Sequence, residues 1–120
     1  MHEFSLMESI LATVEEAAKS AGAMKVLEVD LKIGELTQVV EEAMDFAFEA
    51  LSEGTVCEGA ELHIDFIKPR SRCMDCNCEF EHDVFHRKCP ECGSAYTTIV
   101  AGREMYIDKI EADVPDDYDG

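Results

Sequence analysis

The chain has 120 residues, a length that suits one domain, or one domain with a small appendage, around a single modest core. Its 47% hydrophobic content favours folding over disorder, while a formal net charge of -17 argues against nucleic acid and anionic membrane surfaces, which demand basic partners. The acidity suits solubility, cationic partners and metal ions, although a halophilic source would also produce it.

The opening stretch, "MHEFSLMESILATVEEAAKS", has no basic n-region and carries several glutamates, unlike a signal peptide. No apolar run approaches the length of a membrane span, so a cytoplasmic location is expected, where thiols stay reduced. Ser5 and Glu8 stand at capping-box spacing, which predicts a helix from about Leu6 to a stop at Gly22. Leu6, Ile10, Val14 and Ala17 share one face of that helix, joined by Met7, Leu11 and Ala18. "KVLEVDLKIGE" then alternates, with Leu27, Val29, Leu31 and Ile33 on one side and Glu28, Asp30 and Lys32 on the other. This is the pattern of a half-buried strand, closed by Gly34.

A second helix is expected from Thr37 to about Ser52, with Val40, Met44, Ala47 and Leu51 inward. "AELHIDFIKP" alternates again through Leu62, Ile64 and Phe66, which turns His63 and Asp65 outward onto a solvated strand face. "REMYIDKIEA" gives a third strand, less cleanly patterned, and "DVPDDYDG" reads as a frayed acidic tail. Two amphipathic helices and three strands make an α/β layer, a small sheet with two helices. Residues 70–102 hold few large apolar side chains and cannot build a core alone, so they read as an inserted, metal-folded, zinc-ribbon-like domain. The α/β domain then consists of 1–69 and 103–120.

The insert reads "RCMDCNCEFEHDVFHRKCPECGS". Cys73-x-x-Cys76 and Cys89-x-x-Cys92 are two knuckles whose thiolates can close a tetrahedron around one ion, and a closed four-sulfur shell is structural. "CPECG" would equally serve a rubredoxin-type iron site. Against iron, Asn77 stands where a glycine is expected after the first knuckle, and the intervening loop is short, so zinc is preferred. Cys78 reads as a spare thiol pointing away from the tetrahedron, with an alternative ligand as its other use, and Cys57 as a buried small hydrophobe. His82 and His86 are borderline ligands, more simply solvated.

"MHE" at the start offers different chemistry. The amine of Met1, the amide nitrogen of His2 and its imidazole can form two fused chelate rings, and the amide or carboxylate of Glu3 can complete a square plane. Square-planar nitrogen ligation favours Ni(II) or Cu(II) over zinc. Nothing in the chain pairs a nucleophile with a base or cradles a phosphate, so no enzyme activity is expected; Glu41 and Glu42 read as solvated helix, with a carboxylate for nickel as their other use.

"MHEFSLMESI", then "IGEL" after the first strand, then C-x-x-C…CPxCG before a closing strand together resemble the HypA family of hydrogenase nickel-incorporation proteins, from Met1 to about Glu111. The resemblance implies a nickel metallochaperone in which the α/β domain binds nickel and the insert binds zinc. Residue by residue, His2 and Glu3 match the nickel motif, and Cys73, Cys76, Cys89 and Cys92 match the zinc ligands. It also implies work with the GTPase HypB and delivery to the [NiFe]-hydrogenase large subunit precursor, with urease served by some relatives; a homodimer is possible. Two rivals remain: a rubredoxin-like iron–thiolate electron carrier and a zinc-ribbon adaptor that binds no nickel.

Overall fold

Helical periodicity and one tertiary hydrogen bond together set the first element. In the computed structural model, which describes residues 2–115, α1 runs Glu3–Ser20. Met7, Ile10, Leu11, Val14 and Ala18 are buried, at the spacings of three and four that line one side of a helix. Leu6 is only half-buried and Ala17 is exposed, so the inward stripe is rotated towards Met7 relative to expectation. The helix also begins before the predicted capping box: His2 takes the N-cap position without a side-chain cap bond, and Ser5 lies inside the first turn. The Glu3 carboxylate accepts the Val40 amide at 2.9 Å, which orders the residues that a purely local motif would leave outside. The stop is as expected. Gly22 stands at φ 71°, the Ala23 amide donates to Ala18 and the Gly22 amide to Lys19, a Schellman ending.

Strand β1 spans Lys25–Gly34 and buries Val29, Leu31 and Ile33 on one face. Leu27, expected inward, is 47% exposed, whereas Val26 is fully buried. The alternation slips by a residue there because the Val26 amide is held by the Val56 carbonyl at 2.8 Å and its side chain takes the inner position. The second helix also departs from expectation. A 3-10 turn, Glu35–Thr37, follows β1, and the Thr37 hydroxyl donates back to the Gly34 carbonyl. Gln38 then adopts φ 60°, a left-handed conformation through which no α-helix continues, so α2 runs Glu41–Ser52. Met44, Ala47, Phe48 and Ser52 are its buried residues; Val40 precedes it and is exposed, and Leu51 is half-buried. α2 packs on α1.

The remaining strands are β2 (Glu61–Ile67), β3 (Arg70–Cys73), β4 (Glu79–Glu81), β5 (Thr97–Ala101) and β6 (Met105–Asp113). β1 lies between β2 and β6 in one three-stranded sheet. Met24 donates to Asp113 and Gly34 to Glu104, so β6 runs antiparallel to β1. β3 lies between β4 and β5 in a second, antiparallel sheet, pairing Ser71 with both Phe80 and Ile99. The fold is thus α/β: two helices, a small sheet, and a smaller sheet carrying the cysteines.

The described chain divides into two units, each with its own core. The first contains 2–31, 39–64 and 107–115, and buries Met7, Val14, Val26, Val29, Leu31, Met44 and Cys57. The second contains 32–38 and 65–106, and around its cysteines buries Cys73, Phe80 and Cys89, with Cys78 packed against them. In this unit Gly34 and Gly102 meet backbone to backbone. A Cβ on Gly34 would overlap the Gly102 carbonyl, and Gly102 itself stands at φ 116° with the Pro69 Cα 2.9 Å from where its Cβ would lie. Of the acidic tail expected to fray, Asp113 instead closes β6, its carbonyl accepting the Met24 amide at 2.9 Å, and 116–120 lie outside the described residues.

Candidate metal centre

The sequence of each knuckle folds the same way. In the first, the Asp75 and Cys76 amides both point at the Cys73 sulfur at 3.4 Å, and the Asn77 amide closes the turn on the Cys73 carbonyl at 2.9 Å. In the second, the Gly93 amide closes on the Cys89 carbonyl at 2.8 Å. The residue after each outer cysteine is left-handed: Asn77 at φ 63° and Gly93 at φ 74°. Asparagine tolerates that region better than other residues bearing a Cβ, so Asn77 does the glycine's job. Its presence therefore does not separate zinc from iron. A hydrogen bond from the Ser94 hydroxyl to the Asp75 carboxylate ties one knuckle to the other.

The four sulfurs of Cys73, Cys76, Cys89 and Cys92 all lie within 4.8 Å of one another. Cys73 and Cys92 are 3.5 Å apart across the knuckles, as are Cys76 and Cys89. Four sulfurs ~2.3 Å from one tetrahedral ion stand ~3.8 Å apart, so this set fits zinc with sub-ångström adjustment. Cys73 and Cys89 are buried, and Cys76 and Cys92 reach the surface. Crowding splits the thiols electrostatically. At Cys89 burial opposes ionisation, but the amides of Cys92 and Glu91 and the neighbouring thiols outweigh it and bring the group down to about 7. At Cys76 the Cys78 amide favours the thiolate, yet the Cys89 thiol, burial and the other two thiols win and push it up to about 12. Four thiols this close cannot all ionise without a cation among them. A metal ion held by the four would be that cation.

The other candidates from the insert fall outside this cluster. The Cys78 thiol donates to the Glu79 carbonyl at 3.6 Å. His82 has both ring nitrogens engaged, with the buried Ser71 hydroxyl and the Asp83 carbonyl, each at 2.7 Å. His86 pairs through Nδ1 with the Asp83 carboxylate at 2.7 Å. Cys57 is fully buried as expected, and burial first, then Glu15, raises its thiol.

At the start of the chain, Met1 lies outside the described residues. His2 is exposed at the N-cap of α1, and its carbonyl accepts the Leu6 amide at 3.0 Å. Glu3 is the first helical residue, a position whose amide has no acceptor within the helix. Its carboxyl is held below the usual range, first by the Val40 amide and then by its own. Val40 is the N-cap of α2, so Glu3 caps the second helix from the first turn of the first. Glu41 and Glu42 open α2 beside that junction, both exposed. Sequence reading did not find the Glu3–Val40 bond, and no local signal could have revealed it.

The family model for hydrogenase/urease nickel incorporation, metallochaperone, HypA, matches residues 1–112. The chain belongs to this family. Among its relatives, the hydrogenase maturation factor HypA of Chlorobium luteolum is 41% identical over 94% of this chain and 97% of its own. That of Aquifex aeolicus is 39% identical over 95% and 99%. The solution structure of the Ni metallochaperone HypA from Helicobacter pylori superimposes with a TM-score of 0.68 at 32% identity, covering 96% of this chain and all of its own. Among the described residues no helix is long and apolar enough to cross a membrane. HypA relatives are thus maturation factors, and the four-cysteine cluster fits the zinc site expected of a metal-handling protein.

Proposed function

We propose that this HypA-family chain binds Ni(II) at its N-terminus and passes it to the [NiFe]-hydrogenase large subunit precursor, working with HypB in the cytoplasm as a carrier rather than a catalyst. The nickel ligands are the Met1 amine, the amide and imidazole of His2, and Glu3; zinc is held by Cys73, Cys76, Cys89 and Cys92. Nickel handling then belongs to 1–69 and 103–120, and zinc to 70–102.

One observation supports the nickel half above the others: His2 is exposed at the N-cap of α1 and Glu3 follows it in the first turn. The amides there bond no helical carbonyl, so an ion that displaces their protons breaks no helix hydrogen bond. A helix N-terminus carries about +0.5 charge and repels a bare cation. Displaced amide protons and the carboxylates of Glu3, Glu41 and Glu42 offset that repulsion.

The test is nickel titration of zinc-loaded protein with a native, untagged start. One Ni(II) is expected, with affinity rising with pH as protons leave the competing nitrogens. His2→Ala, or a one-residue N-terminal extension that turns the amine into an amide, abolishes tight binding and leaves zinc content intact. Equal nickel affinity in His2→Ala refutes the N-terminal site. Metal analysis and an absorbance spectrum decide the thiolate site: zinc leaves the protein colourless, whereas a four-thiolate iron site colours it.

A further inference from the structure

A second cluster of donors lies on the sheet, away from both sites above in sequence. Glu28 and Asp30 sit two apart on β1 and therefore share its face opposite Val29 and Leu31. β2 is the neighbour of β1 and places His63 beside them. One ligand atom from each of the three lies within 4.8 Å of the others. We propose that Glu28, Asp30 and His63 form a second divalent-cation site, open to solvent and suited to a first-row transition ion.

The charge arrangement is what calls for a cation. Asp30 Oδ1 is sealed from solvent, and among the described residues no N–H or O–H donates to it. A buried carboxylate oxygen without a donor is costly, and a cation bound beside it would offset that cost. Asp30 also crowds Glu28, whose carboxyl is raised, first by their direct contact. The neighbouring cation, Lys109 on β6, is drawn to Glu111 at 3.3 Å. His63 Nε2 lies 3.1 Å from Glu61 and 3.8 Å from Glu28, so the imidazole already stands at the edge of the carboxylates. Donors ~2.1 Å from one ion are ~3–4 Å apart, so a modest side-chain adjustment closes the three around it.

The donor set decides the class of ion. One imidazole with two carboxylates suits Mn(II), Fe(II), Ni(II) or Zn(II) and offers nothing to a soft monovalent ion. Three protein ligands on a half-exposed strand face, with His63 at the surface, leave positions for water, so the site exchanges more readily than the closed thiolate shell. It stands independently of the N-terminal nickel reading, since it shares no residue with it.

Mn(II) is the probe, because it is weakly held by nitrogen-rich chelates and broadens nearby resonances. Zinc-loaded His2→Ala protein is titrated with MnCl2, free ion is read by electron paramagnetic resonance, and amide broadening is mapped on 15N-labelled protein. One ion is expected, with broadening centred on 28–31 and 62–64. Asp30→Asn and His63→Gln, both verified as folded by their amide spectra, each weaken binding about tenfold or more. Glu53→Gln, a change of the same charge elsewhere on the surface, leaves it unchanged. Broadening spread over the acidic surface, or an unchanged affinity in Asp30→Asn or His63→Gln, overturns the site.

Discussion

Removing one zinc-site cysteine is the sharpest test of how the second unit is held together. Among the described residues, its cysteine-bearing sheet has Phe80 as its one large buried apolar side chain, packed with Cys73, Cys89 and Cys78. Burying one such ring contributes about 1.5–3 kcal/mol. A structural zinc contributes about 10–16 kcal/mol at neutral pH, several times more. An ion held by these cysteines would therefore decide whether β3, β4 and β5 assemble. Cys73→Ala takes out a fully buried ligand that also receives the Asp75 and Cys76 amides, and Cys92→Ala takes out an exposed one. Both should release zinc, with Cys73→Ala the more disruptive because it also strands two amides. Metal analysis gives the stoichiometry, and hydrogen exchange reads the fold. Protection is lost over 70–101 and kept in α1, α2 and 25–31, which rest on the core around Met7, Val29 and Met44. Full zinc stoichiometry in either variant, or protected β3 amides in metal-free protein, refutes the reasoning.

Three further outcomes follow from particular residues. Asn77→Gly should be neutral, whereas Asn77→Val, forced to φ 63°, costs about 1–2 kcal/mol, read as roughly 5–30-fold weaker zinc retention against a competing chelator. Gly102→Ala should lower the thermal midpoint or yield insoluble protein, since the new methyl meets the Pro69 backbone at a left-handed position; a wild-type melting curve contradicts the close approach. Glu3 has a lowered folded pKa, so its support of the α2 N-terminus is complete above the ordinary 4.5 and disappears as pH falls through the lower folded value. The Val40 amide shift should titrate with the Glu3 carboxyl, and a Val40 signal that ignores pH in that window would show that the bond does not form in solution.

Elements whose signal is carried by near neighbours were legible in the sequence. The alternation through Leu62, Ile64 and Phe66, the glycine stop at Gly22 and the matched knuckles depend on residues a few positions apart, and each appears in the structure. The errors arise where a distant partner decides. Ser5 and Glu8 have capping-box spacing, but α1 starts at Glu3, whose carboxylate is fixed by an amide of another element. Thr37 looked like a helix start, but its hydroxyl serves the preceding turn and Gln38 breaks the path. Leu27 followed the alternation and lost the inner position to Val26, which Val56 holds. Glu28, Asp30 and His63 each read as solvated strand residues; only the pairing of β1 with β2 brings them together.

The Glu3 junction connects fold and metal chemistry. A carboxylate has two oxygens, and Oε2 is committed to the Val40 amide. Nickel bound as proposed would therefore be able to use the Glu3 amide, or Oε1, without releasing α2. If instead the ion recruits Oε2, the α2 N-cap loses its acceptor, and Val40 opens towards Glu41 and Glu42, the carboxylates able to take its place. The first route leaves the fold as described, whereas the second transmits metal occupancy into the start of α2. In both cases a residue matched to the nickel motif also supports a helix. A substitution that deletes the Glu3 carboxylate thus removes two things at once, and weaker nickel binding in such a variant does not by itself identify a ligand. Glu3→Gln retains an oxygen for the Val40 amide while removing the charge, so it separates the helix-capping role from the electrostatic one.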